Sequence, residues 1–141
     1  MGKCFSSAVI SAPVDEVWRT LRNFHDMSWT AAIESLEPVG DARSDQVGAE
    51  RLLNGAIHET LRAINDLEHT FQYQITDGPS PISKDDLKFY YGTVSVLPVT
   101  DENASLVIWE TRFESKNDAV TQEFCDPFYT AFLAHLKERF A

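Results

Sequence analysis

Cysteine and histidine, the residues that most often build disulfide frameworks and metal sites, are scarce in this chain. The two cysteines, Cys4 and Cys125, lie far apart and form no CxxC pair, which favours reduced thiols over a disulfide. The four histidines stand singly, with no HxxxH spacing and no cysteine cluster nearby. We therefore expect neither a metal site nor a metal cofactor.

Long apolar runs and basic clusters are also missing. No segment reaches the roughly 18 uncharged apolar residues of a membrane-spanning helix, and the N-terminus lacks the layout of a secretory signal. The net charge is −10, with 22 acidic against 12 basic residues, whereas a phosphate-binding surface needs the opposite sign. We expect a cytoplasmic protein with no membrane span and no nucleic-acid partner, and the sequence leaves the oligomeric state open.

The first residues allow two interpretations. Residues 1–6 match the loose pattern for N-terminal myristoylation, with Cys4 available for a second acyl chain. The alternative is that Cys4 to Ile10 are simply part of the first strand.

Local patterns predict a single domain over residues 1–141. A proline followed by two acids at positions 13–16 indicates the start of a short helix. Apolar residues spaced near four predict a long helix over 117–140, kinked or restarted at Pro127 with Asp126 as its cap. Strands are predicted at 3–11, 33–39, 48–53, 57–64, 68–76, 88–97 and 105–115. This order predicts an α+β fold in which a curved antiparallel sheet wraps around the terminal helix.

One carboxylate stands out of place in an otherwise regular strand. Segment 57–63 alternates between two sets of residues, and Glu59 falls in phase with Ile57 and Leu61. Because alternate side chains of a strand point to opposite faces, Glu59 is expected to point into the apolar layer. An unpaired buried carboxylate is costly, so Glu59 requires a partner, a proton or a wet cavity.

Two hairpin loops decide what lies beside Glu59. A two-residue loop would pair Arg51 with His58, whereas a three-residue loop at 54–56 pairs Arg51 with Glu59 and joins apolar residues to apolar residues. We expect the second register. A three-residue turn in the following hairpin would then pair Glu59 with Tyr73. The predicted result is one cross-strand row of Arg51, Glu59 and Tyr73 on the inner face of the sheet.

Such a row has two interpretations. It can be a buried ion pair that fixes the register, or it can line a cavity in which the arginine orients an oxygen and the glutamate serves as acid or base. Further amphipathic side chains favour a cavity. The alternation of their strands directs Trp109 and Tyr91 towards the inner face. Tyr90 lies on the opposite face from Tyr91, so it stays ambiguous which face of strand 88–97 points inward. The stretch 77–86 is either a lid at the cavity mouth or a solvated loop.

Six segments, spread over nearly the whole chain, carry a family resemblance. They are SAPVDEVW at 11–18, GAER at 48–51, HETL at 58–61, YQI at 73–75, YGTV at 91–94 and VIWE at 107–110. Together they are similar to the START/Bet v 1-like (SRPBCC) superfamily, in its polyketide cyclase/dehydrase branch. The Arg51 and Glu59 spacing resembles that of the lachrymatory factor synthases. Abscisic acid receptors share the glutamate, but the short loop at 54–56 lacks their gate sequence.

The resemblance implies a helix-grip fold with a seven-stranded sheet, two short helices after the first strand, and a hydrophobic cavity against the C-terminal helix. It also implies that Arg51 and Glu59 are catalytic, with Arg51 holding an oxygen that becomes negative and Glu59 moving a proton. Tyr73 and Tyr91 would donate hydrogen bonds. The other ligand-binding residues expected are Trp109, Phe71, Phe128 and Phe132.

These expectations converge on an internal site for a small hydrophobic molecule with one polar head. The expected activity is cofactor-free cyclisation, dehydration or isomerisation. Two alternatives stay open: a non-catalytic carrier or sensor, and a partner-binding module in which the cavity is vestigial.

Overall fold

The computed structural model describes all of residues 1–141, and its elements follow the predicted order. The two helices are α1 (Val14–Leu21) and α2 (Asp118–Arg139). A short 3₁₀ turn, Thr100–Glu102, joins the last two strands. The strands are β1 (Gly2–Ile10), β2 (Leu36–Val39), β3 (Glu50–Leu53), β4 (Ile57–Asn65), β5 (Thr70–Asp77), β6 (Leu87–Val99) and β7 (Ala104–Ser115).

All seven strands form one antiparallel sheet in the order β1-β7-β6-β5-β4-β3-β2. Helix α2 lies against β1 and β7, and α1 contacts β6 and β7. The main core fills the space between the inner face of the sheet and the helices. The predicted antiparallel sheet with a long C-terminal helix, the helix-grip arrangement, is confirmed.

The prediction of a second short helix after β1 is wrong. After α1 the chain runs through a series of turns up to β2. Asn23 and Asp26 each accept a hydrogen bond on their side-chain oxygen from the backbone N–H two residues further on. Such local bonds compete with helical ones, which is why the segment forms turns.

Helix α2 does not restart at Pro127. It begins after Asn117, whose side chain accepts a hydrogen bond from the backbone N–H of Val120 at 3.3 Å, and it continues to Arg139 with the proline inside it. Neither this helix nor α1 combines the length and apolar character needed to cross a bilayer. The fully buried face of α2 is formed by Thr121, Cys125, Tyr129, Phe132, Leu133 and Leu136.

The register of β3 and β4 is the one predicted from the three-residue loop. Arg51 lies opposite Glu59, and Leu53 lies opposite Ile57. Asn54 and Gly55 in the loop adopt positive φ values of 53° and 65°, a conformation that glycine and asparagine accept with least strain. The pair of Arg51 and Glu59 is therefore set by the geometry of this hairpin.

The predicted register of β4 and β5 is wrong by two residues. Glu59 lies opposite Ile75, and Tyr73 lies opposite Leu61. The pairing next to the turn, Asn65 with Thr70, is shifted by three residues, and the irregularity between Leu61 and Ala63 reduces the shift to two. The turn is also longer than predicted, since the side chain of Asn65 accepts hydrogen bonds from two backbone N–H groups of the turn. A shift of two residues keeps Tyr73 on the inner face, so it still reaches the same part of the core.

Candidate functional site

The centre of the candidate site is a buried ion pair between neighbouring strands. Arg51 and Glu59 are only 3% and 6% exposed. Arg51 donates from Nε and Nη2 to the same carboxylate oxygen, Glu59 Oε1, at 2.8 and 2.6 Å. Its Nη1 donates to the backbone carbonyl of Phe24 at 3.1 Å, and the guanidinium lies 3.9 Å from the centre of the Phe24 ring. Arg51 is thus fixed by three hydrogen bonds and an aromatic face.

A small cavity lies beside this pair, between the sheet and α2. Its volume is about 30 Å³, close to the volume of one water molecule in the liquid. Glu59 is the only charged residue that lines it, and Arg51 does not reach it. The lining consists of Ile33, Leu53, Ile57, Glu59, Ile75, Ile82, Phe124, Cys125, Phe128, Tyr129 and Phe132.

The two carboxylate oxygens of Glu59 differ in their environment. Oε1 accepts both hydrogen bonds from Arg51, whereas Oε2 accepts none from the protein. Burial raises the pKa of the Glu59 carboxyl, and the charge and hydrogen bonds of Arg51 oppose this rise. The cavity is therefore bordered by one carboxylate with a free oxygen, the kind of group that can bind a polar head or exchange a proton.

A second polar cluster lies deeper in the core. The indole N–H of Trp109 donates to the hydroxyl of Tyr73 at 2.9 Å, and that hydroxyl donates to Tyr129 at 3.4 Å. Tyr129 also hydrogen bonds to Tyr90, and the buried thiol of Cys125 lies near Tyr90. Burial raises the pKa values of all three tyrosines and raises that of Cys125 to about 11. All these groups are consequently neutral at physiological pH.

The hydrogen-bond donors of Trp109, Tyr73 and Tyr129 are used within this cluster. An indole N–H can only donate, and each hydroxyl carries one hydrogen. The donor order that fits the contacts runs from Trp109 to Tyr73, then to Tyr129 and on to Tyr90. Tyr129 borders the cavity, but its hydroxyl is engaged by Tyr73 and Tyr90.

The expectation that Tyr91 faces inward is wrong. Tyr91 is 36% exposed, whereas Tyr90 is fully buried. The reason lies at Gly92, where a Cβ atom would come within 2.2 Å of the ring of Tyr73. Only glycine fits beneath that ring, so Gly92 and Tyr90 take the inner face and Tyr91 the outer one.

The other predicted ligand-binding residues lie inside the core but at different depths. Phe128 and Phe132 border the cavity. Tyr73 and Trp109 are buried one layer behind it, where Trp109 packs against Phe132 with ring centres 5.1 Å apart. Phe71 packs against Trp18 and Phe24, away from the cavity. The structure thus brings Glu59, Phe128 and Phe132 together at the cavity.

Sequence reasoning missed eight of the eleven residues that line the cavity, among them Tyr129, Cys125 and Ile82. Tyr129 and Cys125 belong to α2, and their spacing of four from each other was the available signal that they share a helical face. Ile82 is a single apolar residue in the loop between β5 and β6, and it is only 1% exposed. Its apolar character within a polar, proline-containing loop was the signal that this loop covers something. No three side chains of His, Cys, Asp or Glu come together in a way that could hold a metal ion.

Solved structures of other proteins share this architecture. Among solved structures, a protein from Nitrosospira multiformis is 38% identical, with a TM-score of 0.95, over 99% of this chain and 96% of that one. Ginseng major latex-like protein 151 from Panax ginseng shares the fold at 16% identity and a TM-score of 0.78, over 99% and 97% of the two chains. The di-domain ARO/CYC BexL from the BE-7585A biosynthetic pathway does so at 16% identity and 0.75, over 98% of this chain and 46% of that one.

The sequence comparisons point the same way. No curated protein matches the chain significantly. A family model described as polyketide cyclase/dehydrase and lipid transport, in contrast, matches all of residues 1–141. Together with the relative from Nitrosospira multiformis, this match shows that the chain belongs to the polyketide cyclase/dehydrase and lipid transport family.

Proposed function

We propose that this protein binds a small apolar molecule with one polar head in the cavity between the sheet and α2. The observation that carries the proposal is an apolar cavity bordered by a single carboxylate whose Oε2 atom has no protein partner. Oε2 is accessible rather than buried, since the one buried side-chain nitrogen or oxygen without a partner is Nε1 of Trp29, so this oxygen is available to the polar head of a ligand. Membership of a family described by cyclisation, dehydration and lipid transport supports the same function.

Binding requires the lining of the cavity to move. A volume of about 30 Å³ is far below the roughly 300 Å³ or more of typical small-molecule sites. Phe124 and Phe128 are only half-buried at its border, and Pro127 lies between them in α2. Proline removes one backbone hydrogen bond from the helix. This turn of α2, together with Ile82 in the facing loop, is therefore where we place the opening.

A second function, cofactor-free proton transfer, is favoured by one specific observation. The raised pKa of Glu59 and its free Oε2 atom suit a general acid or base. Arg51 acts through Glu59 in this proposal, because its donors are directed to Oε1 and to the carbonyl of Phe24 rather than to the cavity. Arg51 is then a positioning residue, and Glu59 is the group that touches the ligand.

The binding proposal is tested with N-phenyl-1-naphthylamine, an uncharged probe whose fluorescence increases in apolar surroundings. We expect saturable enhancement with the wild-type protein and loss of most of it in Ile57→Phe, which fills the cavity. Leu67→Phe is the matched control, because Leu67 is 87% exposed in a turn. Equal enhancement in both variants would place the probe elsewhere, and no enhancement in the wild type would favour a partner-binding module with a vestigial cavity.

Proton transfer is tested by hydrogen exchange into 2-tetralone, an apolar ketone, in D₂O followed by NMR. We expect the wild-type protein to accelerate exchange at the carbon between the ring and the carbonyl, and Glu59→Gln to abolish the acceleration. If Glu59→Gln exchanges the ketone as fast as the wild type does, Glu59 is not the acid or base. If neither accelerates exchange while the fluorescent probe binds, the protein is a carrier.

A further inference from the structure

The polar surface of the cavity offers a strong hydrogen-bond acceptor, the Glu59 carboxylate, and no N–H or O–H donor, and from this we infer the head group of the ligand. The structure assigns the site to an uncharged hydroxyl donor, such as an alcohol, phenol or enol, rather than to a carboxylate or a carbonyl acceptor. This inference rests on the proposed function and specifies its ligand class. Three observations carry it: the position of Arg51 behind Glu59, the hydrogen bonds that engage the Tyr129 hydroxyl, and the charge of the site.

The only cation near the cavity is unavailable to a ligand. Arg51 directs Nε and Nη2 to Glu59 Oε1 and Nη1 to the carbonyl of Phe24, while its guanidinium lies over the Phe24 ring. Glu59 stands between this cation and the cavity, since Glu59 lines the cavity and Arg51 does not. An anionic head would thus meet a carboxylate oxygen instead of the guanidinium.

The neutral donors nearby are equally unavailable. Among the tyrosines and Trp109, only Tyr129 lines the cavity, and its hydroxyl is engaged by Tyr73 and Tyr90. The thiol of Cys125, which also lines the cavity, is a weak donor. A further donor, the buried Nε1 of Trp29, has no hydrogen-bond partner. Trp29 does not line the cavity and lies behind Phe132, with ring centres 5.9 Å apart. The cavity therefore presents no N–H or O–H group to an acceptor.

The charge of the site excludes ions of both signs. Arg51 and Glu59 compensate each other, so the site is neutral before a ligand binds. A carboxylate head would add a like charge next to Oε2, and an ammonium head would leave a net positive charge in apolar surroundings, which is costly. A neutral hydroxyl satisfies Oε2 without changing the charge.

Three naphthalene derivatives of similar size test the inference: 2-naphthol, 2-methoxynaphthalene and 2-naphthoate. Binding is measured by isothermal titration calorimetry at pH 7. We expect 2-naphthol to bind at least about tenfold more tightly than 2-methoxynaphthalene, since a hydrogen bond to a charged acceptor is lost in the methyl ether. We expect 2-naphthoate to bind most weakly of the three.

The variant Glu59→Gln supplies a sharper test, because it is expected to remove or reverse the preference for 2-naphthol over 2-methoxynaphthalene. Its amide oxygen can take the place of Oε1 beside Arg51, which turns the amide N–H₂ group towards the cavity as a donor. The ether should then bind at least as tightly as 2-naphthol. Glu68→Gln is the matched control, because it makes the same carboxylate-to-amide change at an exposed turn residue outside the cavity and should keep the wild-type order.

The outcomes separate this inference from the proposed function. If the three compounds bind the wild type with equal affinity, or if the ether or 2-naphthoate binds more tightly than 2-naphthol, the head-group assignment is overturned while ligand binding stands. An unchanged preference for 2-naphthol in Glu59→Gln also overturns it. If no compound and no fluorescent probe binds, the proposed function itself fails. If Glu59→Gln does not fold, the order of the three affinities measured with the wild-type protein decides the inference.

Discussion

At the scale of single residues, the site depends on two charged side chains with different roles. Arg51 places two hydrogen bonds on one oxygen of Glu59 and leaves the other oxygen at the cavity. The arginine keeps a carboxylate charged and oriented in apolar surroundings, where it would otherwise take up a proton.

This role predicts a large and pH-dependent loss of stability in Arg51→Met. At pH 8 we expect the free energy of unfolding to fall by about 3–5 kcal/mol, because Glu59 is left buried without its partner. Chemical denaturation measured by circular dichroism gives this value. Arg62→Met is the control: Arg62 is exposed on β4, the strand that carries Glu59, and bonds only to Gln74, so we expect a change within about 0.5 kcal/mol.

The sign of the pH dependence follows from the raised pKa of Glu59. The folded state holds its proton to higher pH than the unfolded chain, whose carboxyl titrates near the ordinary 4.5. Stability is therefore lost as pH rises from that value through the folded pKa. Removal of Arg51 raises the folded pKa further, so the loss in Arg51→Met should be smallest at pH 4 and largest at pH 8. A loss that is independent of pH would contradict the assignment of a charged, unpaired Glu59.

At the scale of secondary-structure elements, predictability depended on whether local rules determined the geometry. The β3–β4 pairing followed from the sequence because only one loop length joins Leu53 to Ile57 and buries apolar residues together. The β4–β5 pairing did not, because the irregularity after Leu61 depends on a tertiary arrangement that alternation cannot show. The face of β6 was ambiguous because aromatic residues occupy both of its phases.

The packing of β5 against β6 gives a prediction at this scale. In Gly92→Ala the new Cβ atom would lie 2.2 Å from Cζ of Tyr73, so the ring must move and its bonds to Trp109 and Tyr129 must weaken. We expect the free energy of unfolding to fall by about 1–3 kcal/mol. Urea denaturation measures this change.

A double-mutant cycle identifies the cause of that loss. In a Tyr73→Leu background the clash is absent, so Gly92→Ala should cost close to nothing. An equal cost in both backgrounds would show that the alanine acts on the strand itself and that the ring contact is unimportant.

At the scale of the whole molecule, the volume of the cavity is the property that the sequence could not predict. Its size is a small difference between the space enclosed by the sheet and α2 and the summed volumes of the side chains that fill it. The strands and the helix were predictable from periodicity, and so was the inward direction of Glu59. A cavity of about 30 Å³ instead of one of ligand size follows from where Ile82, Tyr129 and the phenylalanines of α2 come to rest. Ligand binding in this molecule is consequently linked to opening.

The two cysteines report on that opening, because Cys125 lines the cavity and Cys4 does not. Cys125 borders the cavity, whereas Cys4 lies in β1 and is buried beside Thr111. Burial raises the pKa of Cys125 to about 11 and that of Cys4 to about 12, so both thiols of the closed protein should react slowly with a thiol reagent at pH 8.

We expect Cys125 to react first, because the motion that admits a ligand exposes it, and we expect 2-naphthol to slow its reaction. Mass spectrometry of the Cys4→Ser and Cys125→Ser variants assigns each rate. If both cysteines react together at the rate of global unfolding, the cavity does not open by a local motion of α2 and the proposed route of ligand entry is wrong.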